Sequence, residues 1–230
     1  MRFFLTALLL AAAVPAIAAE RRFSVTDFDR IQVDGPYQVT LTTGSSSSAR
    51  ATGSNAALDR VAIDVQGRTL RVRASSSSWG GYPGSPTELA TVTLSTRDIQ
   101  AATVNGSGSL SIDKARGLKL SVSVVGTGKA SIASIESDNL LVSMFGAGNL
   151  TLGGKAKTVR AEVHGAGSLD AAALTAGDAQ VFADTAGEVK LAVTRAVTVQ
   201  ASGSGDVTIG GTPACTVKSL GAGQIRCGKR

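Results

Sequence analysis

Aromatic residues, histidines and cysteines are scarce in this chain. Of its 230 residues only 4% are aromatic, one is a histidine and two are cysteines. Two cysteines and a distant histidine are too few ligands for a zinc site. His164 is the only available base for a catalytic triad, and the residues beside it form no nucleophile motif. We therefore predict that His164 is an exposed surface residue, and we expect no catalytic residue, no metal site and no cofactor.

Long apolar runs are also missing, apart from one at the start of the chain. Met1 and Arg2 precede an apolar run over residues 3–14, Pro15 ends it, and Ala16-Ile17-Ala18 supplies small residues for a signal peptidase. The run is too short to cross ~30 Å of hydrocarbon as a helix. We predict a signal peptide over residues 1–18 and no transmembrane segment in the mature chain; the alternative is an uncleaved anchor. The mature protein would be exported to the periplasm, the cell surface or the medium.

The chain is basic, but it lacks clusters of basic residues. Its formal net charge is +6 and its pI is about 9.7. Lysines and arginines occur singly rather than in the runs that follow a phosphate backbone. This pattern predicts a soluble protein with a weak attraction to anionic surfaces, and it argues against nucleic-acid binding.

Glycine, by contrast, is abundant and periodic. Gly-x-Gly recurs at Gly106/Gly108, Gly126/Gly128, Gly146/Gly148, Gly165/Gly167, Gly203/Gly205 and Gly221/Gly223, and Thr185-Ala186-Gly187 is a degenerate copy. Successive copies are 18–20 residues apart. A near-constant period of this length is the signature of a repeat architecture.

Apolar residues stand two and four positions on either side of each corner, with mostly polar residues between them. One such column contains Ala102, Val122, Val142, Ala161, Val181, Val199 and Val217, and another contains Ile112, Ile132, Leu152, Ala171, Leu191, Ile209 and Cys227. Period-2 alternation predicts strands with one buried face. We therefore predict an all-β fold, a right-handed parallel β-helix (β-solenoid) with about seven regular rungs. The alternative is an antiparallel meander, which needs turns every 8–12 residues.

Residues 19–100 lack these corners but still alternate. Strands are predicted over residues 28–33, 37–42, 61–65, 69–72 and 89–94. Turn residues stand at Asp34-Gly35-Pro36 and Gln66-Gly67. We interpret this part as irregular opening rungs of one domain, 19–230, whose regular rungs occupy 101–230; the alternative is a small separate sheet.

The opening of this N-terminal part resembles a known family. Residues 28–41, Phe-Asp-Arg-Ile-Gln-Val-Asp-Gly-Pro-Tyr-Gln-Val-Thr-Leu, are similar to the start of the bacterial "putative auto-transporter adhesin, head GIN domain" family. Residues 61–72 and the Gly-x-Gly corners, best at Gly146-Ala147-Gly148, fit the same pattern. The resemblance implies a right-handed β-helix exported by a bacterium, with an adhesin-like role.

Two features offer candidate site residues. Trp79 and Tyr82 lie in a Gly/Pro/Ser-rich loop, where exposed aromatic rings could bind a sugar or a protein partner; alternatively Trp79 caps an open end of the solenoid. Cys215 and Cys227 form an even pair in an exported chain and predict a disulfide, both side chains pointing into the last rung. The alternative is two buried thiols.

These observations favour an exported envelope or cell-surface interaction protein, adhesin-like, that binds glycan or another protein along its solenoid face or loop. The alternative is a carbohydrate-active, lyase-like enzyme on the same scaffold. Such an enzyme would need clustered acids, and the candidates Asp170, Glu188 and Asp206 do not recur in one column. We therefore predict a protein that is not an enzyme.

Overall fold

Parallel strands stacked rung upon rung make up most of this computed structural model, which describes residues 19–76 and 88–228. Within these residues there are sixteen strands and one short helix, α1 (Asn55–Asp59). The strands are β1 (Ala19–Phe23), β2 (Arg30–Asp34), β3 (Gln38–Thr43), β4 (Ser48–Gly53), β5 (Val61–Gln66), β6 (Thr69–Ala74), β7 (Thr91–Thr96), β8 (Ala101–Gly106), β9 (Ser109–Gly126), β10 (Lys129–Gly146), β11 (Asn149–Gly165), β12 (Ser168–Thr185), β13 (Val189–Ala201), β14 (Val207–Gly211), β15 (Ala214–Ser219) and β16 (Ile225–Cys227).

The long strands β9 to β12 each bend midway and so contribute to two sheets. The front sheet consists of β2, β8, β15 and the second parts of β9 to β13, residues 121–126, 141–146, 160–165, 180–185 and 196–201. The rear sheet contains β3, β14, β16 and the first parts of β9 to β13. Every one of these neighbours is parallel, so the predicted β-solenoid is confirmed and the antiparallel meander is wrong. The solenoid has about six turns, one fewer than the seven regular rungs predicted.

The Gly-x-Gly corners lie directly above one another. Gly106 pairs with Gly126, which pairs with Gly146. Gly126 has a φ of +107°, and a Cβ built on it would lie 2.7 Å from the carbonyl oxygen of Gly106. Glycine is required at this position both for its backbone conformation and for the close approach of the preceding rung.

The core lies between the two sheets and follows the predicted columns. Val142 and Leu152 are 0% and 1% exposed, whereas Ser143 is only partly buried. The last rung departs from this pattern, because within the described residues no further rung covers it. Val217 is therefore 45% exposed, although it shares a column with the buried Val199.

The N-terminal strands join the same hydrogen-bonded sheet. β2 pairs in parallel with β8, β3 pairs in parallel with β9, and Gly35 between them lies against Gly106 as a degenerate first corner. On the opposite side of this rung, β6 and β7 pair in parallel with β2 and β3. Antiparallel pairing begins beyond them: β5 forms a hairpin with β6, and β4 pairs with both β7 and β1. The sequence pattern predicted none of β1, β4 and α1, since β1 is polar, β4 has alanine as its only apolar side chain and α1 is one turn capped by Ser54.

Candidate functional site

Two pairs of site residues were predicted from the sequence, one aromatic and one of cysteines. Trp79 and Tyr82 fall outside the described residues, so their proposed roles stay predictions. Cys215 and Cys227 are joined by a disulfide with their Cα atoms 6.5 Å apart, a separation within the usual range. The expectation that both side chains are buried in the last rung is wrong for Cys215, which is exposed, because in the described chain no further rung follows it.

The front sheet carries an exposed aromatic cluster that we call the aromatic patch: Phe145, Arg160, Glu162, His164 and Phe182. Phe145 is 46% exposed, and its ring stacks on the imidazole of His164 with centroids 5.1 Å apart and an interplanar angle of 8°. The guanidinium of Arg160 lies 5.0 Å from the centroid of the Phe182 ring. Each of the two phenylalanine rings in the patch therefore lies against a second planar group, the imidazole of His164 or the guanidinium of Arg160.

The parallel register brings these residues together. Phe145 pairs with His164, Glu162 with Phe182, and Arg160 belongs to the same strand as Glu162. Side chains in one column are separated by one rung, ~4.8 Å, which is close to the stacking distance of aromatic rings. Arg160 is fixed further because its Nε and a terminal NH₂ group donate to Glu162 Oε1 at 2.9 and 2.8 Å.

A shallow cleft of about 190 Å³ adjoins the patch. Its side-chain lining is His164, Phe182, Asp184, Gln200, Ser202 and Leu220. Imidazole, carboxylate, amide and hydroxyl groups here alternate with apolar surfaces. Such a lining can hydrogen-bond the hydroxyl groups of a small polar ligand while an aromatic ring packs on its apolar side.

The same column of residues tests the catalytic alternative. His164 is partly exposed as predicted, and its Nδ1 lies 3.9 Å from Asp184 Oδ2. Ser202 follows Asp184 on the next rung, so the acid stands between the base and the hydroxyl. At the usual spacing of strands the backbones of His164 and Ser202 are ~9.6 Å apart, with the rung of Asp184 between them, whereas a nucleophile and its base must lie within hydrogen-bond reach. The three residues therefore do not form a catalytic triad.

A larger cleft of about 500 Å³ lies at the bends between the two sheets. Four of its five charged lining residues form ion pairs: Lys157 Nζ lies 2.8 Å from Asp138 Oδ1, Arg195 pairs with Asp178, and Glu136 pairs with Arg116. Because most of these charges are paired and the lining of this cleft includes no aromatic ring, the aromatic patch is the better candidate site. Over residues 19–76 and 88–228, no group of three or more His, Cys, Asp or Glu side chains could hold a metal ion.

Phe145, Phe182 and Arg160 were not predicted from the sequence as site residues. The available signal was the outward position immediately before each corner, where Phe145 and His164 occupy successive rungs. An aromatic residue beside a histidine in aligned repeats predicts that the two side chains meet once the strands are parallel. Arg160 and Phe182 are diagonal neighbours, and no single column brings them together.

Solved structures share the fold over most of their length. A protein described as a putative adhesin from Bacteroides fragilis is 19% identical and superimposes with a TM-score of 0.83, covering 91% of this chain and 96% of the other. A "putative lipid binding protein" from Parabacteroides distasonis (TM-score 0.68, 19% identity) and a putative adhesin from Parabacteroides merdae (TM-score 0.67, 16% identity) each match 94% of this chain and 98% of their own. At these identities the likeness shows the fold alone.

No curated protein matches the chain. In the described residues no helix is long and apolar enough to cross a membrane. The family model described as "Putative auto-transporter adhesin, head GIN domain" matches residues 27–213, which include the first degenerate corner and all but the last of the Gly-x-Gly corners. This chain therefore belongs to the family that this model describes, the head GIN domain family.

Proposed function

We propose that this chain is an exported, adhesin-like protein that binds glycan on the aromatic patch of its front sheet. Export is supported by the signal-peptide pattern of residues 1–18 and by the adhesin family. The observation that carries the glycan proposal is the exposed ring of Phe145 next to the polar groups of the neighbouring cleft.

The chemistry of the patch suits a sugar. The face of a pyranose ring presents C–H groups that pack on an aromatic ring, and its edge presents hydroxyl groups that need donors and acceptors. Phe145 and Phe182 supply the rings. Asp184 and Gln200 supply the polar groups in the cleft, and the Arg160–Glu162 pair adds a donor and an acceptor beside them.

The shape of the patch indicates weak binding at each site. A cleft of about 190 Å³ is smaller than the 300–1,000 Å³ typical of pockets that enclose a drug-sized ligand. A ligand on this surface remains partly in water, which limits the apolar area that it buries. An adhesin with such a site would bind firmly only where several copies engage one glycan surface, because linked sites gain avidity without new contacts.

A glycan array probed with labelled residues 19–230 tests the proposal. We expect a subset of glycans to bind, and Phe145→Ala and Phe182→Ala each to weaken that binding about threefold to tenfold, the loss typical of one aromatic stacking contact. The matched control is Leu118→Ala, which removes a 77% exposed apolar side chain away from the patch and should have no effect.

Four outcomes would contradict the proposal. Binding of no glycan, or binding that survives both phenylalanine substitutions, would remove the patch as the site. Loss of binding in Trp79→Ala alone would assign the site to the predicted aromatic loop. Release of shortened glycan from a bound array spot would favour the carbohydrate-active enzyme.

A further inference from the structure

The C-terminal end of the solenoid exposes an unpaired strand edge. β15 pairs with β13 and β16 pairs with β14, each along one side, and in the described part of the chain no strand pairs with the other side of either. All six residues of β15 are exposed. Val199 and Val181, one and two rungs earlier in the column of Val217, are 0% and 1% exposed because the next rung covers them. Val217 is 45% exposed, because among the described residues no strand lies over it.

The free edge also presents backbone hydrogen-bonding groups. The N–H of Leu220 donates to the carbonyl oxygen of Ala201, back toward the preceding rung. Because backbone groups alternate in direction along a strand, those of Cys215, Val217 and Ser219 point toward the open side. A row of such groups is a template for an added strand.

This edge is held in place by the disulfide. Cys215 belongs to β15 and Cys227 to β16, and they are 12 residues apart in the chain. The crosslink ties the last front-sheet strand to the last rear-sheet strand, so neither can separate freely. A preordered edge loses less conformational entropy when a partner strand is added.

Charge identifies the kind of strand that fits. Residues 207–230 contain no aspartate or glutamate and four basic residues: Lys218, Arg226, Lys229 and Arg230. A second copy of this edge would bring like charges together, and like charges opposite each other across strands are destabilising. An acidic strand along β15 would instead place a carboxylate beside Lys218, the one charged residue of that strand.

We propose that β15 binds an extended acidic segment of another protein as an additional strand of the front sheet. The bound segment places apolar side chains over Cys215 and Val217, which lie in the inward columns, and a carboxylate beside Lys218, which lies in an outward column next to Gln200. Its pattern is therefore alternation of apolar and acidic residues. This partner site is at the end of the solenoid and is separate from the glycan patch.

Two capped synthetic peptides test this proposal by fluorescence anisotropy, one alternating glutamate with valine and the other alternating lysine with valine. We expect residues 19–230 to bind the glutamate peptide about threefold to tenfold more tightly, the range expected when an attractive cross-strand pair at Lys218 is compared with a repulsive one. Lys218→Glu should reverse this preference. Lys129→Glu, which changes the same charge at an exposed position of the rear sheet, should leave it unchanged.

Val217→Pro examines the backbone contribution. Proline removes an N–H from the open side of β15 and keeps the bonds toward β13, so it should weaken glutamate-peptide binding about tenfold or more while the thermal unfolding midpoint and glycan binding remain those of the wild type. Equal binding of both peptides by the wild type, or full binding by Val217→Pro, would overturn the proposal. A concentration-dependent dimer in sedimentation that Val217→Pro abolishes would also overturn it, because the occupant would then be a second copy.

Discussion

Three glycine-to-alanine substitutions separate the two reasons for glycine at the corners. Gly126 combines a φ of +107° with a built Cβ that would lie 2.7 Å from Gly106 O. Gly44 has a similar φ, +91°, but a Cβ there meets nothing within 4 Å. Gly128 has no positive φ, and its Cβ would lie 2.8 Å from Gly108 O. Gly44→Ala therefore tests the backbone conformation alone, Gly128→Ala the crowding alone, and Gly126→Ala both.

The expected losses follow from these two effects. Forcing a residue with a side chain into a sparsely populated backbone region costs about 1–3 kcal/mol. Overpacking a filled site costs about 1–3 kcal/mol. Gly44→Ala and Gly128→Ala should therefore each lower the free energy of unfolding by about 1–3 kcal/mol, and Gly126→Ala by about 2–6 kcal/mol. Alanine also reduces the conformational entropy of the unfolded chain, which offsets about 0.4–1 kcal/mol of each loss. This gain is the same in all three variants, so it cancels when they are compared.

Urea denaturation followed by far-ultraviolet circular dichroism measures the three free energies. The m value, which is the dependence of the free energy of unfolding on urea concentration, should be unchanged, because a single alanine hardly alters the surface area that unfolding exposes. If Gly126→Ala lost no more stability than Gly44→Ala, crowding between stacked corners would be unimportant. The close-approach explanation of the repeat would then be wrong.

Further predictions concern the core, a buried tyrosine and the disulfide. Val142→Asp should unfold the domain or cost several kcal/mol because it buries an unpaired charge, whereas Ser143→Asp should be nearly neutral; equal effects in urea denaturation would refute the column assignment. The phenol of Tyr37 donates to the carbonyl oxygen of Arg60 at 2.9 Å, so Tyr37→Phe should cost about 1–2 kcal/mol in the same assay. Burial raises the pKa of Tyr37 above its usual 10.0, so the unfolded state loses this proton first. Wild-type stability should therefore decrease as the pH rises beyond about 10, and this part of the decrease should be absent in Tyr37→Phe, an outcome that alkaline urea titrations can contradict. The C-terminal disulfide should leave neither Cys215 nor Cys227 open to alkylation in unreduced protein, and it should add roughly 3 kcal/mol to the free energy of unfolding. Alkylation of both cysteines in the mass spectrum of unreduced material from the periplasm would contradict it.

The columns and corners were predictable because stacking imposes the same requirement on every rung. A residue such as Val142 is covered by Val122 on one side and Ala161 on the other, so each copy of the repeat needs an apolar side chain there. The glycine of each corner likewise meets the glycine of the rung before it. When one constraint repeats, the sequence repeats, and the period can be measured from the glycines alone.

The ends of the solenoid were less predictable for the same reason. Cys215 stands in a column whose other members are buried, yet it is exposed, because burial depends on a following rung and not on the residue itself. At the other end β4 and β1 add in antiparallel orientation, and α1 is inserted between β4 and β5. These elements occur once each, so no repeat indicates them.

The outward columns connect the fold to its proposed function. Inward positions of a solenoid are restricted to apolar residues, whereas an outward side chain contacts solvent and the two neighbouring rungs only. The outward position before the corner accordingly holds Val125, Phe145, His164 and Asp184 on four successive rungs without any change in the backbone register. Because these residues contribute little to stability, substitutions there can create or remove a binding surface while the fold is kept. This explains how solved structures can share the fold of this chain at 16–19% identity, since the fold depends on the inward columns and the corners.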